Sequence, residues 1–511
     1  MAMRKGGRQK QESAFIATRS LVKSPGHPFY EKLNELLSGE GFDGFAEAKC
    51  APYYAKKLGR PSIPPGVYFR MLMVGYFEGI ESERGIDWRV SDSLALRRFL
   101  GYDLDEQTPD HSSLSRIRKR LPLEVHAEVF KWGVEVLAKA GQVKGKTVGV
   151  DATTLEANAA MRSIVRRDTG EGYQAFLESL AQASGIETPT REDLAKLDKK
   201  RPKKGSNKDW EHPHDPDARI TKMKDGRTHL AHKAEHAVDL ETDAILAVTL
   251  PGADEGDTES LPWTLMQTQW NLEQVAQNPE AAKRLHPKPV REVVADKGYH
   301  SNDVLDNLKQ AGIRSYISEP DRGRRKWKGK HDLQAAVYAN RRRIKADRGQ
   351  ALRKLRGERV ERSFAHTYET GGMRRLHLRD RGNILKRLMI HTAAFNLGLL
   401  MRKVLGVGTP RGLQGLISAL CRYLVAYLAT LRPLTPFGKI PQAHQTPILR
   451  SHLSCPSDAG SGIWTLNPAL STGCYAFSMS PRDRRDIKKI IFEHFEYVEE
   501  QWDEFQRRIQ R

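Results

Sequence analysis

The apolar periodicity of this chain changes once, at Lys146, and that change constrains its fold more than any other feature. From residue 26 to 143 the spacing is helical. "GVYFRMLMVGYFEGI" is apolar on nearly every face, as a buried helix is. "SDSLALRRFLG" reads as a helix with Ser91 or Asp92 at its start and Gly101 at its stop. From Lys146 the period drops to two, and "KTVGVDATTLEA" alternates Val148 and Val150 before Asp151. "HKAEHAVDLE" and "AILAVTLPG" form an antiparallel pair about a tight turn at 242–243. "REVVADKGY" and "RSYISEP" are two more strands, joined through a helix over 301–311. Three strands in hairpin order, then two joined through a helix, predict a mixed five-stranded sheet flanked by helices, an α/β unit behind an all-α one. The expected divisions are a basic tail over 1–25, a helical domain over 26–143, and an α/β domain over 144–405 with a polar and basic insertion at about 155–228. A variable region with helices, 406–511, ends the chain.

Charge names the class of partner. The 84 Lys and Arg against 63 Asp and Glu leave a net of +21, the balance of a chain that meets a polyanion. Between Arg314 and Arg362 there are 17 Lys/Arg and 6 Asp/Glu, a net of +11, so over half of the excess sits in one stretch. Phosphate contact is the expectation there. A second basic feature is "TPDHSSLSRIRKRL", where Leu114, Ile117 and Leu121 form an apolar stripe and Arg116, Arg118, Lys119 and Arg120 fill the other positions. Helix-turn-helix readers have that arrangement, and so do ordinary surface helices. The candidate DNA contacts are these four residues with Lys297, Arg324, Arg325, Lys326, Arg341, Arg342, Arg343, Arg359 and Arg362.

Cys50, Cys421, Cys455 and Cys474 are too irregularly spaced for a disulfide framework or a zinc pair, and a reduced, cytoplasmic setting is expected. His452 with Cys455 and Cys474 is an incomplete metal spacing. The N-terminus lacks the apolar core of a signal peptide. The membrane-like run over 413–431 carries Arg422 at its middle, so a buried or partner-facing helix is expected rather than a span.

Three carboxylates carry the chemistry. Asp151 is placed at the end of the first strand, Asp296 at the end of the fourth, and Glu361 on a helix, "RGERVERSFAHTYE", beside a stripe of Val360 and Phe364. If the first and fourth strands are neighbours, their ends bring both aspartates together and a helix across the sheet adds the glutamate. Converging carboxylates repel each other and are stable with divalent cations between them, and oxygen ligands suit Mg²⁺. Read without that convergence, Asp151 and Asp296 are turn residues and Glu361 is a solvated helix position. Asp239 is expected to end a strand at a hairpin, Asp257 to cap a helix, and His212 and His214 to lie in a surface turn. His300 and Lys297 are candidates for a phosphate contact beside Asp296.

The motifs "TVGVDATTLEANA", "VVADKGYHS" and "RVERSFAH", behind "PFYEKLNELL", "GRPSIPPGVYFRMLMVGYFEGI" and "TPDHSSLSRIRKRL", resemble the DDE transposases of bacterial insertion sequences over about residues 26–405. The resemblance implies an RNase H-like core and dependence on Mg²⁺ or Mn²⁺, with two ions. It further implies binding of double-stranded DNA at terminal inverted repeats and at a target, strand cleavage and transfer, and a homodimer or larger assembly on the nucleoid. Asp151, Asp296 and Glu361 then become the catalytic metal ligands, with Glu358 competing for the third place. The spacing Tyr-x2-Arg-x3-Glu-x6-Lys of some relatives is not met, since Lys354, Gly357 and Tyr368 stand at those positions, and a hairpin route of cleavage is left open. A structure-selective nuclease on the same core and a DNA-binding protein that no longer cuts are the alternatives.

Overall fold

The computed structural model describes residues 26–413 apart from 57, 58, 60, 61, 202–204, 224, 225, 322 and 324. The basic tail, Arg324, Cys421, His452, Cys455, Cys474 and the apolar run beyond Leu413 lie outside the described residues.

Helices come first: α1 (Pro28–Gly39), α2 (Phe42–Cys50), α3 (Pro65–Glu78), α4 (Glu83–Asp92), α5 (Leu94–Leu100), α6 (His111–Arg120) and α7 (Leu123–Lys139). Helix α3 is buried along almost its whole length, as its apolar sequence requires. Ser93, not Ser91 or Asp92, caps α5, because its hydroxyl accepts from Leu96 N at 3.3 Å, and Gly101 ends that helix with φ +76°. Asp110 caps α6 through Ser113 N. The connection from α5 to α6, residues 101–110, is longer than the turn of about 3–4 residues in a helix-turn-helix.

The sheet starts with β1 (Thr147–Glu156). An insertion follows, with β2 (Val165–Arg166), α8 (Tyr173–Ala183), α9 (Arg191–Lys200), β3 (Trp210–Glu211) and β4 (Arg219–Lys222). Then come β5 (Thr228–Asp239), β6 (Ile245–Thr249), α10 (Asp257–Val275), α11 (Pro279–Ala282), β7 (Glu292–Ala295), α12 (Asn302–Gln310) and β8 (Arg314–Ile317). Three helices close the described chain: α13 (His331–Lys345), α14 (Asp347–Phe364) and α15 (Arg381–Leu405). The strand order is β4-β5-β1-β7-β8, with β6 also on β5, so the sheet has six strands. The sixth, β4, comes from the insertion and extends the edge of β5 beyond β6. The β1, β5, β6 hairpin order and the parallel β7 and β8 agree with the alternation read from sequence.

Two expectations need correction. Asp151 does not end β1: the strand runs five residues further because Ala152–Glu156 pair antiparallel with Ala231–Glu235. His214 is exposed in a turn as expected, but His212, which opens that turn, is buried beside Asp215, whose carboxylate lies 3.0 Å from His232 Nε2 on β5. The insertion has a small core of its own, in which Trp210 meets Ile164, Ala218 and Leu230. As expected, Asp239 belongs to a hairpin, accepting from Lys144 N, Gly145 N and Glu241 N.

Helices α10 and α14 cover opposite faces of the sheet. On β5, Glu235 points to Ser260 of α10, and its neighbour His236 points to Ser363 of α14. Helix α15 packs against α7 and α3, so residues up to Arg411 form one compact unit. It is long and apolar enough to cross a membrane, but 89% of its apolar window is buried in this fold, where it serves as a core helix.

Burial sets a pH limit on stability. His126, between Tyr68 Oη and Pro122 O, and His236, between Ser363 Oγ and Tyr368 Oη, are both pushed down to about 3 by desolvation. His391 is lowered too, by burial and then by Arg387. The unfolded chain therefore takes up protons below its ordinary histidine pKa of 6.5 while the folded chain does not, and stability is lost as pH falls through that value. Each histidine contributes up to about 1.4 kcal/mol per pH unit. Melting temperature should fall steadily from about pH 7 to pH 5, and a flat profile by calorimetry would contradict this account.

Candidate active site

Gly149 allows a helix to cross β1 at close range. A Cβ at that position would lie 2.6 Å from Leu240, 3.1 Å from Val360 and 3.2 Å from Arg356, so α14 and the end of β5 sit directly on the backbone. Two residues on, Asp151 projects from the same face. Its carboxylate accepts from Arg356 Nη1 at 2.6 Å and from the backbone of Ala152 at 2.9 Å.

The second aspartate is set by strand register. β1 and β7 run parallel with Gly149 opposite Val294, so Asp151 is level with Asp296, the residue that follows the end of β7. Asp296 starts a short helical turn, Lys297–Tyr299, and its Oδ1 accepts from Gly298 N at 2.8 Å. Burial is the largest reason that the Asp151 carboxyl sits above its ordinary value, and the charge of Asp296 adds to it. Arg356 and the Ala152 amide pull the other way. The turn is anchored by Tyr299, whose fully buried hydroxyl donates to Glu235 at 2.7 Å. Glu235 also accepts from Ser260 and Thr264, and burial raises its carboxyl despite those bonds.

Glu361 is on α14, one residue past the buried Val360, and its side chain is exposed. It does not join the aspartates as a ready-made triad: among the described residues, no three His, Cys, Asp or Glu side chains are grouped to hold a metal. Glu358 is exposed as well and is paired with Arg362. The pair Asp151 and Asp296 nevertheless fits a divalent cation. It presents hard oxygen donors from adjacent strands, with mutual repulsion that a cation would relieve, and Arg356 already supplies positive charge at that place. Arg356 was not singled out in the sequence. The signal is its spacing from Val360, one helical turn, which places it on the face that meets the sheet.

The described candidate DNA contacts divide into two groups. Arg116, Lys119, Lys297, Lys326 and Arg342 are exposed. The others are engaged within the protein. Arg118 is buried against Glu83, and Arg120 lies over the ring of Tyr54 at 5.0 Å. Arg325 and Arg341 both hold Glu319, and Arg343 bonds Ser315. Arg359 and Arg362 share Asp243, at 2.7 and 2.8 Å. Three acids from outside the +11 stretch, Asp151, Asp243 and Glu292, are folded against its arginines and offset part of that charge. His300, a candidate phosphate contact, is fully buried.

Removing the guanidinium should expose the cost of that aspartate pair. Arg356→Ala is expected to destabilise the metal-free protein by about 1–3 kcal/mol, since it leaves a largely buried carboxylate without its partner. Mn²⁺ should then raise the melting temperature of the variant more than that of the wild type. Equal shifts in a thermal melt would show that Arg356 and the cation do not occupy the same electrostatic place.

Two family models match the chain. Residues 18–120 match one described as a transposase domain (DUF772), and residues 202–397 match one described as a transposase DDE domain. The second match includes Asp296 and Glu361, while Asp151 and the first part of the insertion fall between the two. No curated protein and no solved structure matches.

Proposed function

Because this chain belongs to the DDE transposases of insertion sequences, we propose that it binds the terminal inverted repeats of its element and catalyses metal-dependent strand cleavage and strand transfer there. The observation that carries this reading is the register of β1 on β7, which sets Asp151 level with Asp296. In the first step the oxygen of a water attacks the phosphorus at the transposon end, and the 3′-oxygen leaves with a proton. In the second, that 3′-hydroxyl loses its proton and attacks a phosphodiester of the target, whose own 3′-oxygen leaves and takes up a proton.

Asp151 and Asp296 are the residues that would hold Mg²⁺ or Mn²⁺, and Glu361 would complete the set by turning inward from α14. When bound, the ions supply charge on the phosphate oxygens and a more acidic water or hydroxyl. Arg356 compensates the Asp151 carboxylate at the place where a cation would be held. Lys297, beside Asp296, holds a phosphate at the site, which offsets the repulsion between its carboxylates and DNA, and the exposed Lys326 and Arg342 hold phosphates elsewhere on the same basic stretch. Arg116 and Lys119 on α6 contribute to reading the end sequence. Synapsis of two ends makes the working form a homodimer at least, acting on the nucleoid in the cytoplasm.

The test is cleavage of labelled DNA carrying the element's ends in Mg²⁺. Asp151→Ala, Asp296→Ala and Glu361→Ala should each cut at less than roughly one-hundredth of the wild-type rate while binding the same DNA. Cutting without joining would indicate a nuclease on this core, and binding without cutting by any form would indicate a DNA-binding protein alone. Lys326→Ala and Arg342→Ala should each flatten the slope of log affinity against log salt by about 0.9, and an unchanged slope would remove them from the interface.

A further inference from the structure

The turn that carries Asp296 is wedged by a second carboxylate. A Cβ on Gly298 would lie 2.5 Å from Asp257 Oδ2 and 3.1 Å from Asp296 Oδ1, so these two side chains flank one point on the backbone. Gly298 does not have a positive φ, so it is space rather than backbone freedom that requires glycine here. Asp257 opens α10, and an acid at a helix N-terminus has a reason to be there without any other role. Its other oxygen, however, is held at 2.6 Å by Lys233, a lysine of β5 whose side chain is only 7% exposed. The same ammonium donates to Glu255 O at 3.0 Å. Burying a lysine is costly, and helix complementarity alone does not call for it.

We propose that Asp257, locked by Lys233, is a positioning residue for Asp296. It fixes the Lys297–Tyr299 turn from one side while the Tyr299 bond to Glu235 fixes it from the other, and so keeps the Asp296 carboxylate level with Asp151. The proposal rests on the reading that these two aspartates hold the metal.

The experiment is Mn²⁺ titration of the full-length chain by calorimetry, with thermal melts of each variant and DNA cleavage measured separately. Asp257→Ala should weaken Mn²⁺ binding by about 10–100-fold, the usual scale for losing a group that orients a ligand. That variant leaves Lys233 buried without its partner and can fail to fold. Gly298→Ala keeps the pair and instead pushes a methyl between the two carboxylates, and it should weaken Mn²⁺ binding on the same scale. Wild-type Mn²⁺ affinity in a folded form of either variant overturns the proposal. Wild-type protein that binds Mn²⁺ but cuts no DNA, with weakened binding in the variants, supports the positioning role and removes the transposition reading. Wild-type protein that binds no Mn²⁺ overturns both.

Discussion

The parallel pairing of β1 with β7 is the contact on which the rest of this structure depends. It spans only Thr147–Gly149 against Glu292–Val294, yet it joins segments on either side of the insertion, the β5–β6 hairpin and α10. Thr147 Oγ1 donates to Glu292 at 2.8 Å across this pair, and Arg348 of α14 meets the same carboxylate, so the first turn of the helix is tied to the start of both strands. From that anchor α14 runs over β1, with Leu352, Val360 and Phe364 turned inward. A one-residue slip of β7 would turn Val293 and Val294 to the wrong faces and move Asp296 away from Asp151 together. The packing of the core and the geometry of the carboxylates are therefore specified by the same register.

Cations of the protein itself meet the acids of the site. Arg356 meets Asp151, Lys233 meets Asp257, and the buried Glu235 is satisfied by hydroxyls of Ser260, Thr264 and Tyr299. The scheme is consistent with buried charges needing partners.

Much of this was legible in the sequence, and the parts that were not share a cause. Val148 and Val150 alternate, "VVAD" ends on its aspartate, and helix periodicity puts Val360 inward, so the strands, the two aspartates and the helix follow from local pattern. The true length of β1 was hidden because Ala152–Glu156 are strand only by virtue of β5. Arg118 read as a DNA contact because nothing near it shows that Glu83 will fold against it. Arg359 and Arg362 are similar, since Asp243, more than a hundred residues earlier, takes both. Local sequence shows that a side chain is charged, but whether the charge faces solvent is decided by partners elsewhere in the chain.

The packing of α15 has a bearing on how the chain is made. Helices α3 and α7 are synthesised early, but the surface that covers them belongs to residues 381–405. Asn396 of that helix also bonds both backbone groups of Ile245 at the edge of the sheet. A ribosome that stops before residue 381 thus releases a product whose helical half keeps its apolar faces in water. Both helices lose their cover at once in such a fragment, so its helical half is expected to be open to proteolysis rather than to persist as a folded piece.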